Sequence, residues 1–258
     1  MRAALFRLAM AALLASSVVE LVAGGVSTAA STATPIGARF HPLFPHLHGH
    51  TVTSANWSGY AITSATSTGV EGTWVVPAVS GQPAPGYSSS WVGIGGYNSN
   101  DLIQAGTEQD INGNGQPSYY AWWEILPAPE TPISMTIHPG DSMLVVIHTK
   151  HLDQNSTWRI FIKDQTTGAT FVKTVTYNSS FSSAEWIEEA PTVNGQIAPL
   201  ADFGTVTFNN CQVFYNGSLG NISSGPNTAI DLQDPNGQVA APGPLSNNSE
   251  TFSDTWGA

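Results

Sequence analysis

From Ala55 onward, apolar and polar residues alternate in short runs separated by Gly, Pro, Asn and Ser, a period of two that predicts strands. The runs are Ala55–Ala61, Val70–Pro77, Ser90–Gly96, Asp101–Glu108, Tyr119–Glu124, Ser134–His138, Ser142–His148, Trp158–Lys163, Thr170–Tyr177, Ala184–Ile187, Thr205–Phe208 and Gln212–Tyr215. The tail adds Ala229–Leu232 and a stretch near Thr251–Trp256. Pro139-Gly140-Asp141, residues 164–168 and Asn194-Gly195 read as turns between them. No long amphipathic helix follows the N-terminal leader. Many short strands at fairly even spacing imply an all-β sandwich or barrel in one domain.

The densest stretch runs from Ser88 to Glu124. On a period of two, Leu102, Gln104 and Gly106 share a face, and so do Tyr120, Trp122 and Glu124. If those faces meet, an amide and a carboxylate lie on one aromatic-walled surface. Taken alone, a single Gln in a strand is more often a polar edge residue, and Glu124 a solvated strand end.

Charge narrows the function classes. The 258 residues carry 18 Asp and Glu against 7 Lys and Arg, a formal net charge of −11. Three of the basic residues, Arg2, Arg7 and Arg39, lie in the first forty positions. That balance argues against nucleic acid, whose phosphates need basic patches. It suits a protein working in acid, where protonated carboxyls repel one another less. Residues 1–30 resemble a secretory signal, with Arg2 and Arg7 followed by an interrupted apolar run and small residues. The expectation is a secreted monomer with no membrane attachment once the signal is removed. Cys211 stands alone, so no intramolecular disulfide can form. Residues 31–54 read as a pro-segment or linker before a catalytic domain at 55–258. Its histidines His41, His46, His48 and His50 lack a second ligand set for a metal, but would charge as pH falls through about 6.5.

Carboxylates and amides are the plentiful reactive groups. No Gly-x-Ser-x-Gly elbow accompanies His138, His148 and His151, and no His-Glu-x-x-His zinc motif is present. Residues 183–191 remain: in a strand, Glu185, Ile187 and Glu189 share one face, and Trp186 and Glu188 the other. A carboxylate among aromatics is desolvated, which raises its pKa and lets it exchange protons in acid. A solvated acidic strand end is the competing reading.

Asn56-Trp57-Ser58-Gly59-Tyr60, Gly72-Thr73-Trp74-Val75-Val76-Pro77, Trp91-Val92-Gly93-Ile94, Leu102-Ile103-Gln104-Ala105-Gly106, Trp122-Trp123-Glu124, Ala184-Glu185-Trp186-Ile187 and Ala201-Asp202-Phe203-Gly204 resemble, in that order, the motifs of the eqolisins, the glutamic peptidases. The resemblance spans about residues 55–215. It implies an antiparallel β-sandwich of two large sheets, of concanavalin-like or jelly-roll type, acting on proteins or peptides without cofactor or metal. It also implies a catalytic pair at Gln104 and Glu185, with Trp91, Glu108, Trp122 and Glu124 as binding or supporting positions. Glu185 would act as base and then acid on the attacking water and leaving nitrogen, and Gln104 would hold the water and the oxyanion. Glu108 and Glu124 are expected to act as protonated donors in acid. Two positions depart from the family: Gly95 stands where an Asp is expected, and Glu108 where a shorter Asp is common. The alternatives are a glycoside hydrolase pairing Glu124 with Glu185, and a non-catalytic carbohydrate- or peptide-binding module.

Overall fold

The structure, a computed structural model, describes residues 39–40, 45–48, 51–63, 66–81, 83–150, 152, 156–237 and 239–258. Outside them lie the expected leader at 1–30, any role for the side chains of His41, His46, His48 and His50, and His151. The described residues belong to one compact unit, 37–258.

In chain order the strands are β1 (Arg39–Phe40), β2 (Pro45–His48), β3 (Thr51–Ser54), β4 (Trp57–Thr63), β5 (Ser67–Val75), β6 (Gly86–Gly95), β7 (Leu102–Ile111), β8 (Pro117–Ile125), β9 (Thr131–Thr136) and β10 (Ser142–Thr149). There follow β11 (Ser156–Asp164), β12 (Thr170–Tyr177), β13 (Ser183–Glu189), β14 (Thr192–Val193), β15 (Gln196–Ile197), β16 (Thr205–Tyr215), β17 (Ser218–Asn221), β18 (Asn227–Gln233), β19 (Val239–Pro242) and β20 (Phe252–Trp256). Among the described residues one 3-10 turn, Ile222–Ser224, interrupts them.

Seventeen of these strands form one hydrogen-bonded network, with β1, β14 and β15 apart. One run through it is β9, β8, β7, β6, β13, β4, β18, β3, β2. A second run is β12, β11, β10, β5, then β16 and β17. Strand β16 belongs to both: Thr205–Phe208 pair with β20, and the part from Asn209 pairs with β5. At the change of partner Asn210 has φ 49° and the register slips, as a bulge does when it bends a strand. Except for β3 beside β18, these strand pairings are antiparallel.

Alternation gives the first run two buried faces. Val92, Ile94, Ala184 and Trp186 on one face pack with Val70, Trp74, Val145, Ile147, Ile160 and Ile162 of the second run. Each such fully buried large side chain contributes about 1.5–3 kcal/mol. Two indoles join the runs: Trp186 Nε1 donates to the Glu71 carbonyl at 2.8 Å, and Trp74 Nε1 to Thr107 Oγ1 at 3.0 Å. Gly72 permits that approach, since a Cβ there would lie 2.8 Å from Val92 Cγ1. On the other face Trp57, Ala61, Trp91, Leu102, Trp122, Ile187 and Ile230 form a separate cluster.

The all-β, antiparallel expectation is borne out. Thr205–Phe208 and Gln212–Tyr215, expected as two strands, are one strand, continuous through the bulge at Asn210. The boundary expected between Ser54 and Ala55 falls inside hydrogen-bonded structure. Strand β3 pairs with β18, and Ser54 Oγ accepts from the Trp57 and Asn56 amides at 3.0 and 3.2 Å.

Candidate active site

Register assembles the site. Glu185 on β13 stands opposite Gly93 on β6, Gly93 opposite Gln104 on β7, and Gln104 opposite Glu124 on β8. Directly paired residues share a face, so the four form one rung across four strands. Two strand spacings put the backbones of Glu185 and Gln104 about 10 Å apart. Gly93 contributes no side chain between them. A Cβ there would lie 3.0 Å from Leu102 Cδ1 and the Trp91 ring and 3.1 Å from Gln104 Cβ, so even alanine would intrude on the floor of the site.

The next rung on this face is Ile187, Trp91, Gly106 and Trp122. The one beyond is Glu189, Ser89, Glu108 and Tyr120. Trp91 Nε1 donates to Glu189 Oε2 at 2.8 Å, Trp122 Nε1 donates to Ser89 Oγ at 3.2 Å, and Trp57 meets Trp91 edge-on with ring centroids 4.9 Å apart. Gly106 lets the β6 backbone come close, because a Cβ there would lie 2.2 Å from the Ser90 carbonyl oxygen and 2.9 Å from Trp91 Cα. The indoles are thus fixed at their polar ends while their rings wall the floor.

All six expected site residues lie on this face. Gln104, Glu185, Trp91, Glu108, Trp122 and Glu124 are each 0% exposed, so the site as it stands is closed to solvent. Gln104 Nε2 donates to Glu124 Oε2 at 2.5 Å. Glu124 therefore accepts here, where the sequence suggested a donor. That bond orients the amide and leaves its Oε1 without a hydrogen-bond partner. Glu108 lies two rungs away, about 13 Å from Gln104 along the strand backbone.

Burial raises the pKa of Glu185 well above the ordinary carboxyl value, the Ser183 hydroxyl lowers it in part, and the charge of Asp101 raises it further. Neither Glu185 oxygen closes a hydrogen bond of normal geometry, including with Ser183. Glu188, on the opposite face, takes a hydrogen bond from Ser90 Oγ at 2.6 Å and is also raised, first by burial and then by Asp254.

Glu189 and Asn56, given no role from the sequence, hold the site together. Glu189 accepts from both Trp91 Nε1 and Asn56 Nδ2, the latter at 2.9 Å. Its phase with Glu185 was visible in the alternation, but its partners were not. Among the described residues, no group of three or more His, Cys, Asp or Glu is placed to hold a metal ion.

Residues 55–254 match the Peptidase A4 family. The chain is 29% identical over 220 residues to Aspergillopepsin-2 of Aspergillus niger, covering 77% of each. Among solved structures, a scytalido-glutamic peptidase bound to a peptide-based transition state analog superposes with TM-score 0.66 at 24% identity, over 78% of this chain and 98% of that one, a likeness of fold. The aspergilloglutamic peptidase from Aspergillus niger is 28% identical with TM-score 0.57, over 66% of this chain and 99% of that one.

Proposed function

The chain belongs to the Peptidase A4 family and is a glutamic endopeptidase acting on proteins or peptides; from that premise we propose that Gln104 and Glu185 are its catalytic pair. The observation that carries this reading is the rung itself, which aims an amide and a desolvated carboxyl across a glycine floor. Glu185 takes a proton from water as the oxygen attacks the peptide carbonyl, then returns it to the leaving nitrogen. Gln104 has two N–H bonds. One is held by Glu124, the other is available to the oxyanion, and the unpartnered Oε1 accepts from the attacking water.

The closed site also constrains the protonation cycle. While Glu185 is fully buried it keeps its proton in acid. Opening to water and substrate removes the desolvation that raised its pKa and releases the base. Residues 31–54 are read as a pro-segment or linker, its last strand, β3, being paired with β18. We read the leader as a secretion signal and the protein as an extracellular monomer. The two strand runs are read as the layers of a sandwich, on the strength of the two indoles that join them.

The glycosidase alternative would set Glu124 and Glu185 as partners. Their backbones are three strand spacings apart, about 14 Å, with Gln104 between them and bonded to Glu124.

Digestion of a denatured protein at about pH 3–4, with an aspartic-protease inhibitor present, tests the pair. The wild type should cleave. Glu185→Gln should lose at least ~10³-fold in kcat, and Gln104→Ala about 10²–10³-fold, the scale of one oxyanion donor. Equal cleavage by wild type and Glu185→Gln would remove Glu185 from the mechanism.

A further inference from the structure

Strand β6 ends at Gly95, and the chain there carries a second carboxylate outside the rung. Gly95 has φ 90°, and a Cβ on it would lie 2.4 Å from the Asp101 carbonyl oxygen and 3.3 Å from Asp101 Oδ2. The Asp101 side chain thus lies alongside the place a residue at 95 would fill. From there its Oδ2 accepts from the Ser180 amide at 2.6 Å. Hydroxyls tighten the junction: Ser180 Oγ lies within hydrogen-bond distance of Ser99 Oγ at 3.2 Å and Ser182 Oγ at 2.8 Å, and Ser99 Oγ accepts from the Gly96 amide at 3.1 Å.

Asp101 immediately precedes β7, which carries Gln104, and Ser180 lies in the loop that enters β13, which carries Glu185. The contact therefore ties together the entries of two strands that β6 keeps from pairing directly. Around Glu185, β4 presents Ala61, β6 presents Gly93, and β7 presents Gln104 with Glu124 behind it on β8. Strand β13 adds Ser183 and, two rungs off, Glu189, with Ser89 standing between it and Glu108. Asp101 is the charged group whose field acts on Glu185.

We propose that Asp101 is a positioning residue of this peptidase: reaching past Gly95 to the Ser180 amide, its carboxylate locks the loop that delivers Glu185 and sets the field in which that carboxyl works. The inference rests on Glu185 being the catalytic carboxyl, so its test reads Glu185 directly as well as turnover. The full chain is labelled with carboxyl-13C glutamate and titrated over about pH 3–9. The Glu185 resonance is identified by its absence from Glu185→Gln. Asp101→Asn keeps an acceptor for the Ser180 amide but loses the charge. Its Glu185 midpoint should move to lower pH, and the acid limb of kcat/KM should move with it. Asp101→Ala loses both, and kcat should fall about 10–100-fold with KM little changed, as for a small misplacement of a reacting group. A Glu185 midpoint in Asp101→Asn that is unchanged or moves upward would overturn the proposal. Full activity in Glu185→Gln would instead sink the catalytic reading, and the titration would still report whether Asp101 acts on Glu185.

Discussion

Gly59 has φ 139°, and a Cβ there would lie 2.1 Å from the Trp186 carbonyl oxygen, so the motif from Asn56 to Tyr60 needs glycine at its fourth position. Its neighbours are as constrained. Asn56 holds Glu189, Ser58 Oγ donates to Asp254 Oδ1 at 2.8 Å, and the Tyr60 hydroxyl donates to the Gly243 carbonyl at 3.0 Å. Gly59→Ala should therefore destabilise by about 3 kcal/mol or more, combining backbone strain with a clash that neither chain can relieve. A denaturant midpoint equal to that of wild type would contradict this account. Glu124 offers a functional test at the same scale. Glu124→Ala removes the acceptor that orients the Gln104 amide, so kcat should drop about tenfold or more while KM changes little. A rise in KM alone would recast Glu124 as a substrate contact. Alternation put Gln104 with Leu102 and Gly106 and Glu124 with Tyr120 and Trp122, while the register that joins the two faces appears only in the structure. The bond from Asn56 to Glu189 was not readable either, because its partners are 133 residues apart and no local pattern encodes a register.

Strands were legible where side chains alternate and turns are marked. Thr170–Tyr177 has the same limits in sequence and structure, and the strand expected at Ser90–Gly96 is the C-terminal half of Gly86–Gly95. The misses have physical reasons. Strand β16 looked like two because Asn209 and Asn210 break its apolar pattern, while hydrogen bonding to β20 and then to β5 keeps it continuous. Hairpin β14–β15 has two residues per strand, too few for any period to register. Strand β3 was hidden because Thr51–Ser54 borrows its place from β18. A chain beginning at Thr51 keeps that pairing and the Ser54 hydroxyl cap of β4; one beginning at Ala55 loses both. Loss of such a cap costs about 0.5–2 kcal/mol in helices, and a comparable loss is expected here. Thermal melts of the two truncations should differ in that direction, and identical melting temperatures would make β3 dispensable.

Across the whole molecule, buried carboxyls dominate the response to pH. Burial pushes Glu71 and Asp254 up to about 8, and Glu185 and Glu188 are raised well above the usual range. The folded state holds these protons more tightly than the unfolded chain, whose carboxyls titrate near 4. For Glu71 and Asp254 that contribution is thus fully present below about pH 4, declines as pH rises toward 8 and is flat beyond, and Glu185 and Glu188 act in the same direction. His148 works in the opposite sense. Burial, then Arg159 and Lys150, lowers it to about 4, so stability is lost as pH falls from about 6.5 toward 4. Since each pKa unit corresponds to about 1.4 kcal/mol, the carboxyls outweigh the single imidazole, and the melting temperature should be highest at about pH 4 and fall toward neutrality. Asp254→Asn should flatten the fall above pH 5, and His148→Gln should raise stability on the acid side; a melting temperature that keeps rising to pH 8 would refute the assignment. The insertion of β13 between β4 and β6 has a consequence in time. Its pairings are far apart along the chain, so loop-closure entropy makes them late events in folding. The proposed pair, Gln104 and Glu185, cannot face one another until β13 has entered, and on that assignment a nascent or half-folded chain has no blade with which to cut itself or its neighbours.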